Sequence, residues 1–562
     1  MIAALLAGYA AAADGDKSEV GASFTEDLEV RVWTTDDRVV DNPDRAVLNY
    51  VEQVNRFNAV VSVDSWVFEA QIDQVALFAN RYFLDDELVI EHQLLEPGKA
   101  PFFDQAIVNV LPGDAYLNLE KFRARYETKA LSLALGDAYV AFGRGIGLNL
   151  NRNVDIDLDT SVQGVKTVVR PGAWDVTLVL GQINRQQVAQ DNPNTSITGD
   201  HRHAVVAARA ERFGLGPANI GGHVVVMDFV ADPGWSAGAT ELGGPDVVVG
   251  GTTLELQGVA GLDIGLEGDV FGFPTDELPG VDVNGERVPG YALYLSTAAY
   301  PTPFSVLFEA KRYSRTERIN AIAAAENYEV AVAPTLEYER AITEDSSATL
   351  NSDDIWGARL QIDLAAVPGK VIPYVATAVF RDEDLGGLHF NEVPETVVHP
   401  MIGVEVLADP WAVLFNSGVR FDDRDGTDAG GDRQIYGDVS VKTPLPGPFH
   451  LDVSSQVQQY HWGINPLQQA DFFETKNAVT LGIAEPVAVI AYVDLSDNPL
   501  VTSVGNLSED LYGAVEVQVK PTGSWTLKAF YGAYAAGIRC AGGQCRRLPG
   551  FDGARVAATG SF

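Results

Sequence analysis

Three carboxylates spaced by two residues raise the question of chemistry first. In the stretch NVDIDLDTS, Asp155, Asp157 and Asp159 share one face of an extended segment, with Ile156 and Leu158 on the other. Like charges this close repel unless they are solvated, paired or bridged by a cation. Arg144 and Arg152 lie nearby and supply the opposite sign. The spacing lacks the glycine and distal glutamate of a calcium loop. These five residues are a candidate lumen constriction; a solvated wall and a metal site are the other readings. Just upstream, FGRGIG at 142–147 is rich in glycine. It has neither the Lys-Ser/Thr pair nor the following helix of a phosphate loop, so it reads as a bend or bulge. His201 and His203 share a strand-face spacing but fall in a polar connection. No G-x-S-x-G elbow occurs. The expectation is no catalytic residues, no cofactor and no metal; a barrel enzyme built across strands is the least favoured reading.

Cys540 and Cys545, in RCAGGQCR, are the two cysteines of the chain. Two close cysteines in an exported protein usually form a disulfide, and the intervening glycines permit a tight loop. A zinc site needs further soft ligands, and none lie near.

The elements that would position these residues read as strands. The chain has 562 residues, 46% of them apolar, with 54 Gly, 19 Tyr and 25 Phe but 3 Met. After the amino-terminus no apolar run is long enough for a membrane helix. The net charge of −38 makes nucleic acid a poor partner and favours cations. Residues 1–13 have the short apolar core and small-residue ending of a signal peptide, although no charged segment precedes them. Residues 14–27 read as a short periplasmic leader, and 28–562 as one barrel domain.

From Leu28 onward, pairs of alternating segments flank short Pro/Gly turns, and long acidic connections separate the pairs. About 11 short turns and about 12 long connections give roughly 24 strands. A further pair within 315–355 would raise this to about 26. Short turns on one side and long loops on the other are the asymmetry of an outer-membrane barrel. Trp66, Trp174, Phe304, Trp411, Phe449 and Trp525 each follow a short turn and open an apolar face, as an aromatic girdle requires. Trp33, Trp235, Trp356 and Trp462 lie near the long connections, where the second girdle belongs. Phe562 ends the chain as the terminal aromatic of a closing strand, the signal read by the barrel-assembly machinery.

Three patches carry a family pattern. One runs through Phe530, Tyr531, Gly532, Arg539, Cys540, Gly542, Gly543, Cys545, Arg546, Pro549, Phe551, Gly553 and Phe562. The second is LGDAYVAFGRGIGLNLNRNVDIDLDTSVQGVKT at 135–167, with its FGxG turn. The third is APTLEYER at 333–340, where Ala333 replaces a proline. Together these resemble an uncharacterised outer-membrane β-barrel family of Gram-negative bacteria. The resemblance implies an outer-membrane barrel and no established activity.

The sequence thus predicts an all-β fold, a transmembrane antiparallel up-and-down β-barrel in the cell outer membrane, surrounded by lipid. A lumen that wide leaks unless something fills it, and the leader is too short for a plug domain. Long connections at 80–114 and 315–355 are the candidates for folding inward. The leading functional expectation is a passive channel or translocation pore with an acidic lumen. The alternative is a structural or interaction barrel filled by its own loops or by a periplasmic or secreted protein partner.

Overall fold

A computed structural model describes residues 20–35, 50–79, 115–153, 158–186, 204–228, 247–272, 289–314, 316, 355–382, 395–424, 432–465, 468–483, 486–497, 511–534, 537–541, 544–548 and 551–562. The expected signal peptide, the loops at 80–114 and 317–354, Asp155, Asp157, His201, His203 and Trp235 lie outside the described residues.

Twenty-four antiparallel strands form one closed sheet. Each pairs with its neighbour in sequence, and the last strand, Phe551–Ser561, pairs with both Trp525–Tyr534 and the first strand, Val20–Thr35. Closure leaves no edge, so every ladder is satisfied without water, as a membrane-spanning sheet requires. The first strand begins at Val20, inside the stretch expected as leader. Val20, Ala22 and Phe24 already alternate there, and Val20 pairs with Val63 at the turn end of the next strand.

The short turns fall where Pro, Gly and Asp mark them. Ala260 and Gly261 both hold positive φ, 54° and 81°. That is the conformation of a two-residue turn whose twist matches the flanking strands. Strand parity separates two faces. On Trp174–Gln186, Leu178 and Leu180 are exposed while Val179 and Ile183 are buried. The exposed set faces lipid and the buried set faces the lumen. All six aromatics expected for the girdle are the first residues of their strands, Trp66–Ala79, Trp174–Gln186, Phe304–Ser314, Trp411–Arg424, Phe449–Asn465 and Trp525–Tyr534. Trp174, Phe304, Trp411 and Phe449 are exposed there. The Arg212 guanidinium lies over the Trp174 ring, 5.3 Å from its centroid. Trp356 is exposed at the opposite, long-loop end.

Residues 139–153 leave the wall. After the strand Leu131–Ala138, two short strands, Val140–Phe142 and Leu148–Leu150, pair with each other and not with the barrel. Val140, Phe142, Ile146, Leu148 and Leu150 are buried and join one apolar cluster with lumen-facing Val179, Val205, Val225 and Val249. The barrel therefore contains a hydrophobic core on its inside.

Candidate functional site

The inward segment is fastened at its base and at its tip. At the base, Asp159 on the strand Leu158–Val169 is 1% exposed. Lys121 Nζ pairs with it, the Tyr139 hydroxyl donates to its Oδ1 at 2.7 Å, and Arg152 Nε lies 3.6 Å from its Oδ2. A buried carboxylate demands such compensation. Lys166 Nζ donates to the Tyr139 carbonyl at 2.6 Å, and Thr160 N–H donates to the Asn151 carbonyl at 3.0 Å. Beside it, Asp137 accepts from Ser161 Oγ at 3.0 Å and from Phe122 N–H at 2.8 Å.

At the tip, the FGRGIG stretch is the turn of the inward hairpin, closed by Gly145 N–H donating to the Phe142 carbonyl at 2.9 Å. Arg144 N–H donates to Glu267 Oε2 at 2.6 Å. The Arg144 side chain reaches Ser296 Oγ at 2.9 Å and lies over the Tyr294 ring.

The expected constriction is therefore split. Arg152 and Asp159 come together, with Lys121 and Tyr139 as partners that no local spacing announced. Arg144 does not join them, because the hairpin carries it inward to the strands Leu262–Gly272 and Gly290–Ala299. Neither loop proposed to fold inward lies within the described residues; the inward segment seen is the one read as a simple bend. Its signal was present: FGRGIG is bracketed by VAF and LNL, apolar on both sides of a tight turn.

Elsewhere the lumen wall carries ions of both signs in pairs. Arg56 binds Asp73 through Nε and Nη2, at 3.0 and 2.7 Å. Arg359 meets Glu309 at 3.0 Å, and Arg420 meets Asp422 at 2.8 Å. These pairs are largely buried, and pairing compensates the charges for the water they lose.

The carboxy-terminal residues also meet. Phe562 N–H donates to the Phe24 carbonyl at 2.8 Å, and Phe24 N–H donates to the Phe562 carbonyl at 3.0 Å. The Phe562 ring packs edge-on against Trp525, centroids 5.4 Å apart. Cys540 and Cys545 are direct register partners in a separate hairpin of Gly537–Ala541 with Gln544–Leu548.

A closed 24-strand barrel with a lipid-facing apolar surface is an outer-membrane β-barrel, and the protein resides in the cell outer membrane. Among solved structures the chain is similar to an Escherichia coli P pilus tip assembly intermediate, PapC-PapD-PapK-PapG, in its second conformation. The TM-score is 0.51 at 7% identity, over 98% of this chain and 62% of that one. It is also similar to the P pilus usher PapC translocation pore, with TM-score 0.42, 9% identity, and 96% and 99% of the two chains covered. The outer-membrane protein OpdK of Pseudomonas aeruginosa gives TM-score 0.35, 11% identity, and 85% and 99%. At these identities the likeness is one of fold. No protein-family model matches the chain, and no curated protein does.

Proposed function

We propose that the protein is a passive outer-membrane channel whose lumen is divided. One side is filled by the chain's own segment 139–153, and the other is an aqueous path along paired charges. The carrying observation is the burial of Phe142, Ile146, Leu148 and Leu150 inside a barrel wide enough to leak if empty. Lumen-facing Ser454 and Gln456 stay exposed on the far wall, where water reaches them. The net charge of −38 supports a preference for cations. A second reading is a structural barrel whose filled lumen serves as an anchor for a partner protein. The internal apolar cluster supports it.

The test is conductance of the purified, refolded protein in a planar bilayer, alongside a variant with 141–149 replaced by a short glycine linker. Cation-preferring steps that grow several-fold in the variant are expected. Silence from both folded barrels would leave the anchor reading.

A further inference from the structure

Beneath the inward hairpin, three buried side chains converge without satisfying one another. Strand register brings them together. His223, Gly251 and Asp269 are directly paired across the adjacent strands Ala218–Asp228, Val247–Val259 and Leu262–Gly272. All three face the lumen. Gly251 has no side chain, so His223 and Asp269 meet over it, with Nε2 to Oδ1 at 2.7 Å. A Cβ at Gly251 would fall 1.9 Å from that same oxygen. Glu267 stands two residues before Asp269 on the same face. One donor atom from each of the three lies within 4.8 Å of the others.

The hairpin seals this cluster. A Cβ at Gly147 would come 2.9 Å from His223 Nε2, and one at Gly143 would come 2.2 Å from Glu267 Oε1. The Phe142 ring packs on the His223 ring, centroids 5.7 Å apart. The glycines of FGRGIG let backbone lie directly on the charged groups.

The second observation is what these groups lack. The side chains of His223 and Asp269 are wholly buried. Neither ring nitrogen of His223, neither carboxylate oxygen of Asp269 and not Oε1 of Glu267 has a hydrogen-bond partner among the described residues. Nε2 and Oδ1 are close, yet the contact lacks hydrogen-bond geometry. Five buried polar atoms left open around one point would cost several kcal/mol in an unfilled site. The nearby cations are engaged elsewhere: Arg144 with Ser296 and the Tyr294 ring, Arg209 with Glu211 and Thr253.

We infer that His223, Glu267 and Asp269 form a site for a divalent transition metal of the zinc class. One imidazole and two carboxylates make a borderline donor set that suits Zn²⁺, with Mn²⁺ and Fe²⁺ as neighbours. A tetrahedral ion at about 2.0–2.2 Å from each ligand needs donors roughly 3.4 Å apart; here Nε2 and Oδ1 are 2.7 Å apart and all three donors lie within 4.8 Å, so small side-chain shifts seat it. A water completes the fourth position. The ion neutralises the two carboxylates and ties two barrel strands together beneath the hairpin. It does not depend on whether the barrel conducts.

The experiment uses untagged full-length protein, refolded in detergent, stripped with a chelator, equilibrated with Zn²⁺ and desalted. Metal per folded barrel is then measured by mass spectrometry, in wild type, His223→Ala, Asp269→Asn and, as a control, His461→Ala. The control removes the exposed His461–Asp471 pair. One zinc per barrel is expected in wild type and His461→Ala, with affinity at least 100-fold weaker in the other two. Wild type without retained zinc, or Asp269→Asn with the full complement, overturns the site. If either ligand variant fails to fold, X-ray absorption of zinc-loaded wild type decides. One imidazole within an oxygen shell supports the site; a shell without imidazole, or one containing sulfur, overturns it.

Discussion

The lumen has two walls of opposite character. From Ala204–Leu215 to Leu262–Gly272, inward positions near the long loops are Val205, Val225, Met227, Val247, Val249 and Phe271, all fully buried. From Trp411–Arg424 to Gln468–Ile483 they include Arg420, Asp422, Gln434, Gln458 and Glu474, with the first three buried and Tyr460 and Phe472 packed beside them. The outward faces of both regions are the same apolar belt, with Val206 and Val224 exposed on one and Ile435 and Phe473 on the other. Lipid therefore imposes one constraint everywhere, and the interior chooses between two solutions. A polar inner face is stable when its groups are hydrated or paired, as Arg420 with Asp422 and Gln434 with Tyr460 are. An apolar inner face is stable only when something apolar covers it. Here that wall belongs to the same cluster as the chain's own 140–150 hairpin.

The sharpest way to break this contrast is to put the same charge on each wall. Val225 is 0% exposed, set between Ala207 and Val249 on adjacent strands. Val225→Asp buries a carboxylate with no partner, a penalty large enough to defeat assembly. Gln456→Asp adds the same group to an inward position on the wet wall, opposite Lys476. We expect Val225→Asp to lose the fast-migrating folded band on unboiled gels and Gln456→Asp to keep it. Equal folded fractions would mean that the inner core is not packed.

This contrast was written in the sequence but not in the alternation that revealed the barrel. The polar wall reads HLDVSSQVQ at 450–458, apolar and polar residues largely alternating. The packed wall reads AVVAA at 204–208, HVVVM at 223–227 and VVVG at 247–250. Continuous apolar runs are the mark of strands buried on both faces. Their grouping on neighbouring strands is the signal of an inner core, and reading FGRGIG as a simple bend missed what fills it. Strand count and the short turns were legible because each is a local pattern of period 2 ending at Pro or Gly. The His223, Glu267 and Asp269 cluster was not legible. It depends on register between strands 44 residues apart in number, which only the folded sheet sets. Lys121 reaching Asp159 is the same kind of contact.

That contact gives an intermediate effect. Lys121→Met removes one partner of a carboxylate that is 1% exposed, at the base of the segment entering the packed side. Breaking a buried pair costs about 3–5 kcal/mol. Arg152 at 3.6 Å and the Tyr139 hydroxyl at 2.7 Å remain, which places the loss near 3 kcal/mol at most. A urea midpoint for the refolded barrel measures it. The matching change on the polar wall, Arg420→Met, strands Asp422 in the same way but leaves the hairpin untouched. If the base contact holds the hairpin, only Lys121→Met raises the conductance. Equal conductance changes in both variants would uncouple the base from the plug.

The smallest effect is expected where neither wall is involved. The hairpin carrying Cys540 and Cys545 belongs to a sheet of its own, between the strands Trp525–Tyr534 and Phe551–Ser561. Direct opposition of the two residues is the backbone placement that a disulfide needs. A bridge closing so short a loop stabilises by about 2 kcal/mol in the chain-entropy account. Cys540→Ser should therefore lower the urea midpoint slightly and leave conductance and zinc content unchanged, because the lumen is not rearranged. Intact cells treated with an alkylating reagent provide the direct check: both thiols should label only after reduction. Labelling without reductant removes the bridge. A change in conductance on reduction would instead link this outer hairpin to the path through the lumen.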